Sequence, residues 1–136
     1  MGGNRIHVIN LEDFTVTYIP IGSNPRAIVL SPDNTKMYVT MNLSGKVASW
    51  DLVTNMAGKS VKTGEAARSL AISSDGSTMF VVNFKSNTMS KVRTSDMKVL
   101  ETIKACSEPI GVTHDAPTGN TWVACYKGQI KIYSNN

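Results

Sequence analysis

The sequence predicts an all-β fold of repeated four-stranded antiparallel sheets, the blades of a β-propeller, with about three blades in this chain. Three observations carry that reading. An apolar run, a Ser-Pro-Asp or Ser-Ser-Asp turn, a second apolar run and an aromatic-bearing third run occupy Arg26 to Gly64 and return 42 residues later at Arg68, with a fainter return near Pro109. A period of that length filled with short strands is that of a propeller blade, which cannot bury both faces without neighbours. A gapless comparison of Arg26–Gly64 with Arg68–Cys106 finds seven identities in 39 positions: Arg26/Arg68, Ser31/Ser73, Asp33/Asp75, Met37/Met79, Val39/Val81, Ser44/Ser86 and Lys62/Lys104. Ordinary composition yields roughly two or three. Finally, no segment sustains a helical period over three turns.

The elements follow in order. Ile6–Asn10 and Phe14–Ile21 read as two strands around Leu11-Glu12-Asp13, the last two strands of an incomplete blade, and Gly22-Ser23-Asn24-Pro25 breaks the pattern. The next blade runs Arg26–Leu30, the turn Ser31-Pro32-Asp33-Asn34, Lys36–Met41, Val47–Trp50 and Ala57–Lys62. Pro32 suits a turn through its fixed φ, and Asp33 can accept from local amides. The third blade repeats this with Arg68–Ile72, a hairpin at Ser74-Asp75-Gly76-Ser77, Met79–Val82, Met89–Val92 and Val99–Lys104. The last copy offers Ile110–His114, a turn over 115–120, Trp122–Tyr126 and Gln129–Tyr133. In that copy Trp122 aligns with Tyr38, Val123 with Val39 and, after one deletion, Ile130 with Val47. The units are thus a partial blade over residues 5–21, blades over 25–64 and 67–106, and an incomplete blade over 109–134.

Thirteen strands make a little over three blades, whereas rings hold about four to eight. Closing three would demand about 120° between neighbours and leave apolar faces unfilled. The expectation is therefore a partial ring, or a ring completed by a protein partner or by further copies of the chain.

Bulk properties narrow the function classes. A hydrophobic content of 41% with 18% charged residues argues against disorder, and the longest apolar runs fall far short of a membrane span, so a soluble domain is expected. Met1-Gly2-Gly3-Asn4-Arg5 has no apolar stretch of signal-peptide length, which leaves the compartment unassigned. The formal charge is +4 and the pI near 9.2. The basic residues are dispersed, apart from some clustering at Lys85, Lys91, Arg93, Lys98 and Lys104, and are not interleaved with stacking aromatics. A solvated surface is expected there rather than a nucleic-acid site.

Candidate chemistry is sparse. Cys106 and Cys125 lack metal or redox spacing, so no zinc is expected. Both should point to one rim, as free thiols or, alternatively, as a disulfide. Arg26 and Arg68 share a repeat position just before the first strand of a blade. Two guanidinium groups at one rim would suit carboxylate or phosphate, against the simpler role of pinning blades through an acidic neighbour or a carbonyl. His114 replaces the apolar residue found at Leu30 and Ile72. It would be a channel base or ligand, or simply a strand histidine, since no Ser or Cys nucleophile is identifiable beside it, and His7 is weaker still. Asp13, Asp33, Asp75 and Asp96 fall in turns, where local capping accounts for them. Trp50, Tyr38, Phe80, Trp122 and Tyr133 hold repeat-equivalent positions and are expected to pack between blades. The binding candidates are therefore Arg26, Arg68 and His114, with no catalytic residue, metal or cofactor assigned.

Asn24-Pro25-Arg26-Ala27-Ile28-Val29-Leu30-Ser31-Pro32-Asp33, followed by Met37-Tyr38-Val39-Thr40-Met41-Asn42, resembles the YVTN type of β-propeller repeat, as does Phe80-Val81-Val82-Asn83. Ser44-Gly45-Lys46-Val47-Ala48-Ser49-Trp50-Asp51 is similar to the third strand of WD-repeat blades, without their Gly-His dipeptide. Asn34 stands where the turn Gly is usual and Arg93 where an acidic residue is usual. The resemblance implies a non-enzymatic module that binds a protein or extended ligand through rim loops. The alternatives it leaves are a channel-site enzyme of the lactonase-like propeller class and a structural surface repeat protein.

Overall fold

Turn chemistry sets the strand boundaries. In the computed structural model, which describes residues 3–134, the Ser31 hydroxyl donates to Asp33 Oδ1 at 2.6 Å. The Thr35 amide and hydroxyl reach the same oxygen at 3.0 and 2.8 Å, and the Lys36 amide donates to Ser31 Oγ at 2.9 Å. The same lattice recurs 42 residues on, at 2.6, 3.0, 2.8 and 3.1 Å, through Ser73, Asp75, Ser77 and Thr78. Each carboxylate serves turn donors that have no strand partner. These bonds, the serine hydroxyl's first, hold both Asp33 and Asp75 at a pKa of about 2.

The described residues form thirteen strands and no helix: β1 (Arg5–Ile9), β2 (Val16–Pro20), β3 (Pro25–Leu30), β4 (Lys36–Met41), β5 (Lys46–Asp51), β6 (Met56–Lys62), β7 (Ala67–Ile72), β8 (Thr78–Asn83), β9 (Thr88–Arg93), β10 (Lys98–Lys104), β11 (Pro109–Asp115), β12 (Asn120–Cys125) and β13 (Gln129–Tyr133). Every pairing is antiparallel and sequential. They make a first sheet β1-β2, a second β3-β4-β5-β6, a third β7-β8-β9-β10 and a fourth β11-β12-β13. The sheets approach one another mainly through β3, β7 and β11, so these inner strands lie near the common axis and the sheets fan outward from it.

The 42-residue period extends to the backbone. Asn24, Ala66 and Glu108, each just before the first strand of its sheet, all take positive φ, at 57°, 56° and 54°. Their carbonyls accept the amides of Asn42, Phe84 and Tyr126 at 3.0, 3.0 and 2.9 Å. Asn34 and Gly76 likewise share a left-handed conformation, which explains why Asn serves where Gly is usual.

Strand alternation then divides the side chains between interfaces. Tyr38 and Val47 of the second sheet meet Leu70, Met79, Val81 and Val92 of the third. On the opposite face of the third sheet, Phe80, Val82 and Met89 meet Val123 and Cys125 of the fourth. Ile6 and Ile19 of the first sheet cover Met37, Val39 and Trp50 of the second. Val39, Val81 and Val123, one per repeat, are all fully buried.

Four expectations are corrected. Trp122 does not pack between blades: it is 38% exposed, because its face of the fourth sheet points away from the third and nothing among the described residues covers it. Arg26 and Arg68 lie inside β3 and β7 rather than ahead of them, since the chain is already extended from Pro25 and Ala67. Asp96 does not merely cap its turn. It accepts from Arg93 Nε at 2.9 Å and Nη2 at 2.6 Å, and this ion pair holds its carboxyl below the usual range. The cysteines are not free thiols: Cys106, just after β10, and Cys125, at the end of β12, form a disulfide with Cα atoms 6.0 Å apart that joins the third sheet to the fourth.

Candidate functional site

One rim of the fan is built by the loops leading into β3, β7 and β11 and by the second turn of each repeat. They are tied together by hydrogen bonds. The Thr63 amide donates to the Gly45 carbonyl at 3.0 Å and the Ala105 amide to the Asn87 carbonyl at 2.8 Å. Side chains reinforce this: the Glu65 amide donates to Ser86 Oγ at 2.7 Å and the Glu108 amide to Asn87 Oδ1 at 2.7 Å. Gly45 is required at its place, with φ at 63° and a Cβ there colliding with the Gly64 carbonyl. Behind the rim, fully buried Asn83 accepts from Thr63 Oγ1 at 2.8 Å and donates to Thr88 Oγ1 and Ser90 Oγ at 3.0 and 3.1 Å. Ser90 in turn donates to the Thr63 carbonyl at 3.1 Å. A satisfied buried network of this kind fixes loop positions.

Upon this rigid base sits a groove of about 310 Å³ between the second and third sheets. Asn42, Leu43, Ser44, Lys62, Glu65 and Lys85 line it, with Leu43 76% exposed. The groove combines two ammonium groups, one carboxylate and an apolar tip, a surface suited to hydrogen bonding and ion pairing with an extended ligand. Sequence reasoning named Lys85 only as part of a dispersed basic cluster. It missed Leu43, Lys62 and Glu65 as a group because Leu43 lies in the turn between β4 and β5 while Lys62 and Glu65 lie at the end of β6 and in the connection to β7, and the leucine in a turn was the available signal.

The three sequence candidates do not converge. Arg68 is half-buried and its guanidinium lies 4.8 Å from the centre of the Phe84 ring, a cation–π contact within its own sheet. Arg26 is exposed on β3 and forms no ion pair among the described residues. His114 stacks on Phe80, with ring centres 4.8 Å apart, and its Nδ1 lies 3.1 Å from Thr121 Oγ1, so its ring is held between the third and fourth sheets. It also stands four residues beyond the strand position equivalent to Arg26 and Arg68, about 13 Å along an extended chain. The rim groove is lined by none of the three. The same holds for a cavity of about 330 Å³ beside the free edge of β13 and for a depression of about 610 Å³ on the outer face of the fourth sheet.

Other titratable groups are accounted for locally. Burial raises the pKa values of Tyr38 and Tyr133, and Asp51 is lowered by accepting from the amides of Thr54 and Val53.

The fan of sheets can be set against solved structures. Hydrazine synthase of Kuenenia stuttgartiensis superposes with a TM-score of 0.79 at 22% identity, over 82% of this chain and 32% of that one. The RRP9 WD40 repeats superpose with a TM-score of 0.74 at 14% identity, over 82% and 35%. The chain is a run of β-propeller blades. Dihydro-heme d1 dehydrogenase NirN, solved in complex with DHE, matches over 98% of this chain and 33% of its own, with a TM-score of 0.73 at 19% identity. The chain thus spans about a third of the length of these propellers, and the likeness is one of fold. No protein-family model and no curated protein matches the sequence.

Proposed function

We propose that these blades belong to a non-enzymatic binding module that recognises another protein or an extended ligand through its rim loops. The observation that carries this reading is the groove of Leu43, Lys62, Glu65 and Lys85 on a rim immobilised by cross-blade hydrogen bonds. Preorganised loops lose little freedom on binding, which favours recognition by the rim. The resemblance to YVTN-type and WD-type repeats supports the same role. In the polar inventory, His114 and Arg68 are engaged with aromatic neighbours rather than with each other.

The alternative is an enzyme of the lactonase-like class with Arg26, Arg68 and His114 contributing to a channel site. Two of the superposed propellers bear enzyme names, which keeps this reading in place. A structural surface repeat protein is the third.

One experiment separates the first two: panning a displayed library of random peptides against the folded protein, alongside assays of sugar-lactone hydrolysis. Peptides retained by the wild type and lost on Leu43→Asp or Lys85→Glu support rim recognition. Lactone hydrolysis abolished by Arg68→Ala, with no rim-dependent peptide recovered, overturns it in favour of the enzyme.

A further inference from the structure

Each sheet has two unlike faces, and among the described residues one of each kind is open. Call forward the face turned to the following sheet. On the second sheet it carries Tyr38 and Val47, with Val61 packed alongside, and on the third Phe80, Val82 and Met89 with Ile103. The forward face of the fourth sheet carries Trp122, 42 residues after Phe80, together with Ala124, Ile130 and Ile132. The pairings Trp122 with Ile132 and Ala124 with Ile130 place these four on one side. Ile130 is 69% and Ile132 51% exposed, and Gly111, Thr113, Trp122, Ala124 and Ile130 line the 610 Å³ depression.

At the other end the backward face of the first sheet is open. Ile6 and Ile19 point forward onto the second sheet, so the neighbouring pairs His7 with Tyr18 and Ile9 with Val16 point backward. Tyr18, Ile9 and Val16 are all more than two-fifths exposed. Tyr18 is dressed by Arg5, 4.2 Å from its ring centre, and by the His7 ring at 4.7 Å.

We propose that the forward face of the fourth sheet is an interface for a second copy of this chain, which seats the backward face of its β1–β2 pair there, and that two copies close one ring. Forward against backward is the sense in which every sheet inside the chain packs on the next. A single kind of contact covers both open faces, which an unrelated partner would not do. The charges agree: Asp115 is the one charged side chain lining the depression on the fourth sheet, and Arg5 lies on the opposing face. Each copy has four sheets, so seating them face on face makes a ring of eight sheets from two copies, within the four to eight blades that rings hold. Such a head-to-tail contact is heterologous, and it remains finite only because the rotation closes.

Light scattering across a range of protein concentrations tests this. The wild type should reach twice 14.7 kDa and no more. Trp122→Asp and Tyr18→Asp should each weaken self-association by about tenfold or more, as expected for a buried aromatic anchor. Mixing the two variants should restore a dimer, because one retains its β1–β2 face and the other its fourth-sheet face. Both positions are exposed in the single chain, and unchanged circular dichroism establishes that the variants fold. If either loses its signal, Ile130→Ser and Ile9→Ser replace the pair. A wild-type mass of 14.7 kDa at every concentration overturns the proposal and assigns the open faces to other polypeptide. Growth beyond two copies, a dimer indifferent to both substitutions, or mixed variants that stay monomeric overturn it equally.

Discussion

Ala66 holds φ at 56°, a conformation that costs an L-residue about 1–2 kcal/mol, while Gly would regain most of that and lose about 0.5–1 kcal/mol to chain entropy. Ala66→Gly should therefore stabilise the protein by roughly 0.5–1 kcal/mol, read as a raised urea midpoint. Met97 shares the conformation, at 57°, but is 6% exposed within the cluster around Tyr38, so Met97→Gly should destabilise by about 2–5 kcal/mol. The same backbone torsion thus has opposite mutational consequences, and packing decides which. At this scale the sequence was partly legible. Asn24 advertises a left-handed residue, whereas Ala66 and Glu108 at the equivalent places do not, because the conformation there is imposed by the carbonyl that must meet Phe84 or Tyr126.

The turn carboxylates make a pH prediction at the same scale. Asp33 and Asp75 have native pKa values of about 2 against 3.8 for an unconstrained Asp. A depressed native pKa contributes stability that is complete above the unfolded value and is lost as pH falls toward the native one. Stability should therefore decline from about pH 4 to pH 2, and the double variant Asp33→Asn, Asp75→Asn should show a shallower decline in thermal melts over that window. An equally steep loss in the variant would remove these turns as its source.

Among the elements, the fourth sheet depends on its tether. It has three strands where the second and third have four, and the Cys106–Cys125 bridge, with a sequence separation of 19, closes a loop that holds β11 and β12 and ties the end of β12 to the linker that leaves the third sheet. Chain-entropy arguments give such a loop about 3 kcal/mol. Reduction, or Cys106→Ala with Cys125→Ala, should lower stability by about that amount, and limited proteolysis should then cut within residues 109–134 before the central sheets. Uniform cleavage throughout would show that the bridge does not hold this element. Its cysteines were legible as neighbours on one rim, since each follows or ends a strand at the same side. That they bond required the distance between two sheets, which depends on how the sheets splay and not on any local pattern.

For the whole molecule, stability should vary with the number of packed faces, as in other stacked repeats. Met79 is fully buried between the second and third sheets, so Met79→Ala should cost about 2–5 kcal/mol, whereas Ile132→Ser on the fourth sheet, melted at protein concentrations low enough to keep the chain a monomer, should cost well under half of that. Comparable losses in urea melts would mean that the open face is already covered.

The sequence by itself determined the strands, their turns and their repetition, because alternation and Asp-centred turns act within a few residues and recur every 42. Arg26, Arg68 and His114 were visible as polar residues in repeat positions. Only the tertiary structure decided that His114 would lie on Phe80, that Arg68 would cover Phe84 and that Trp122 would face outward. Which face of a sheet is buried depends on whether another sheet stands beside it, and no residue carries that information alone.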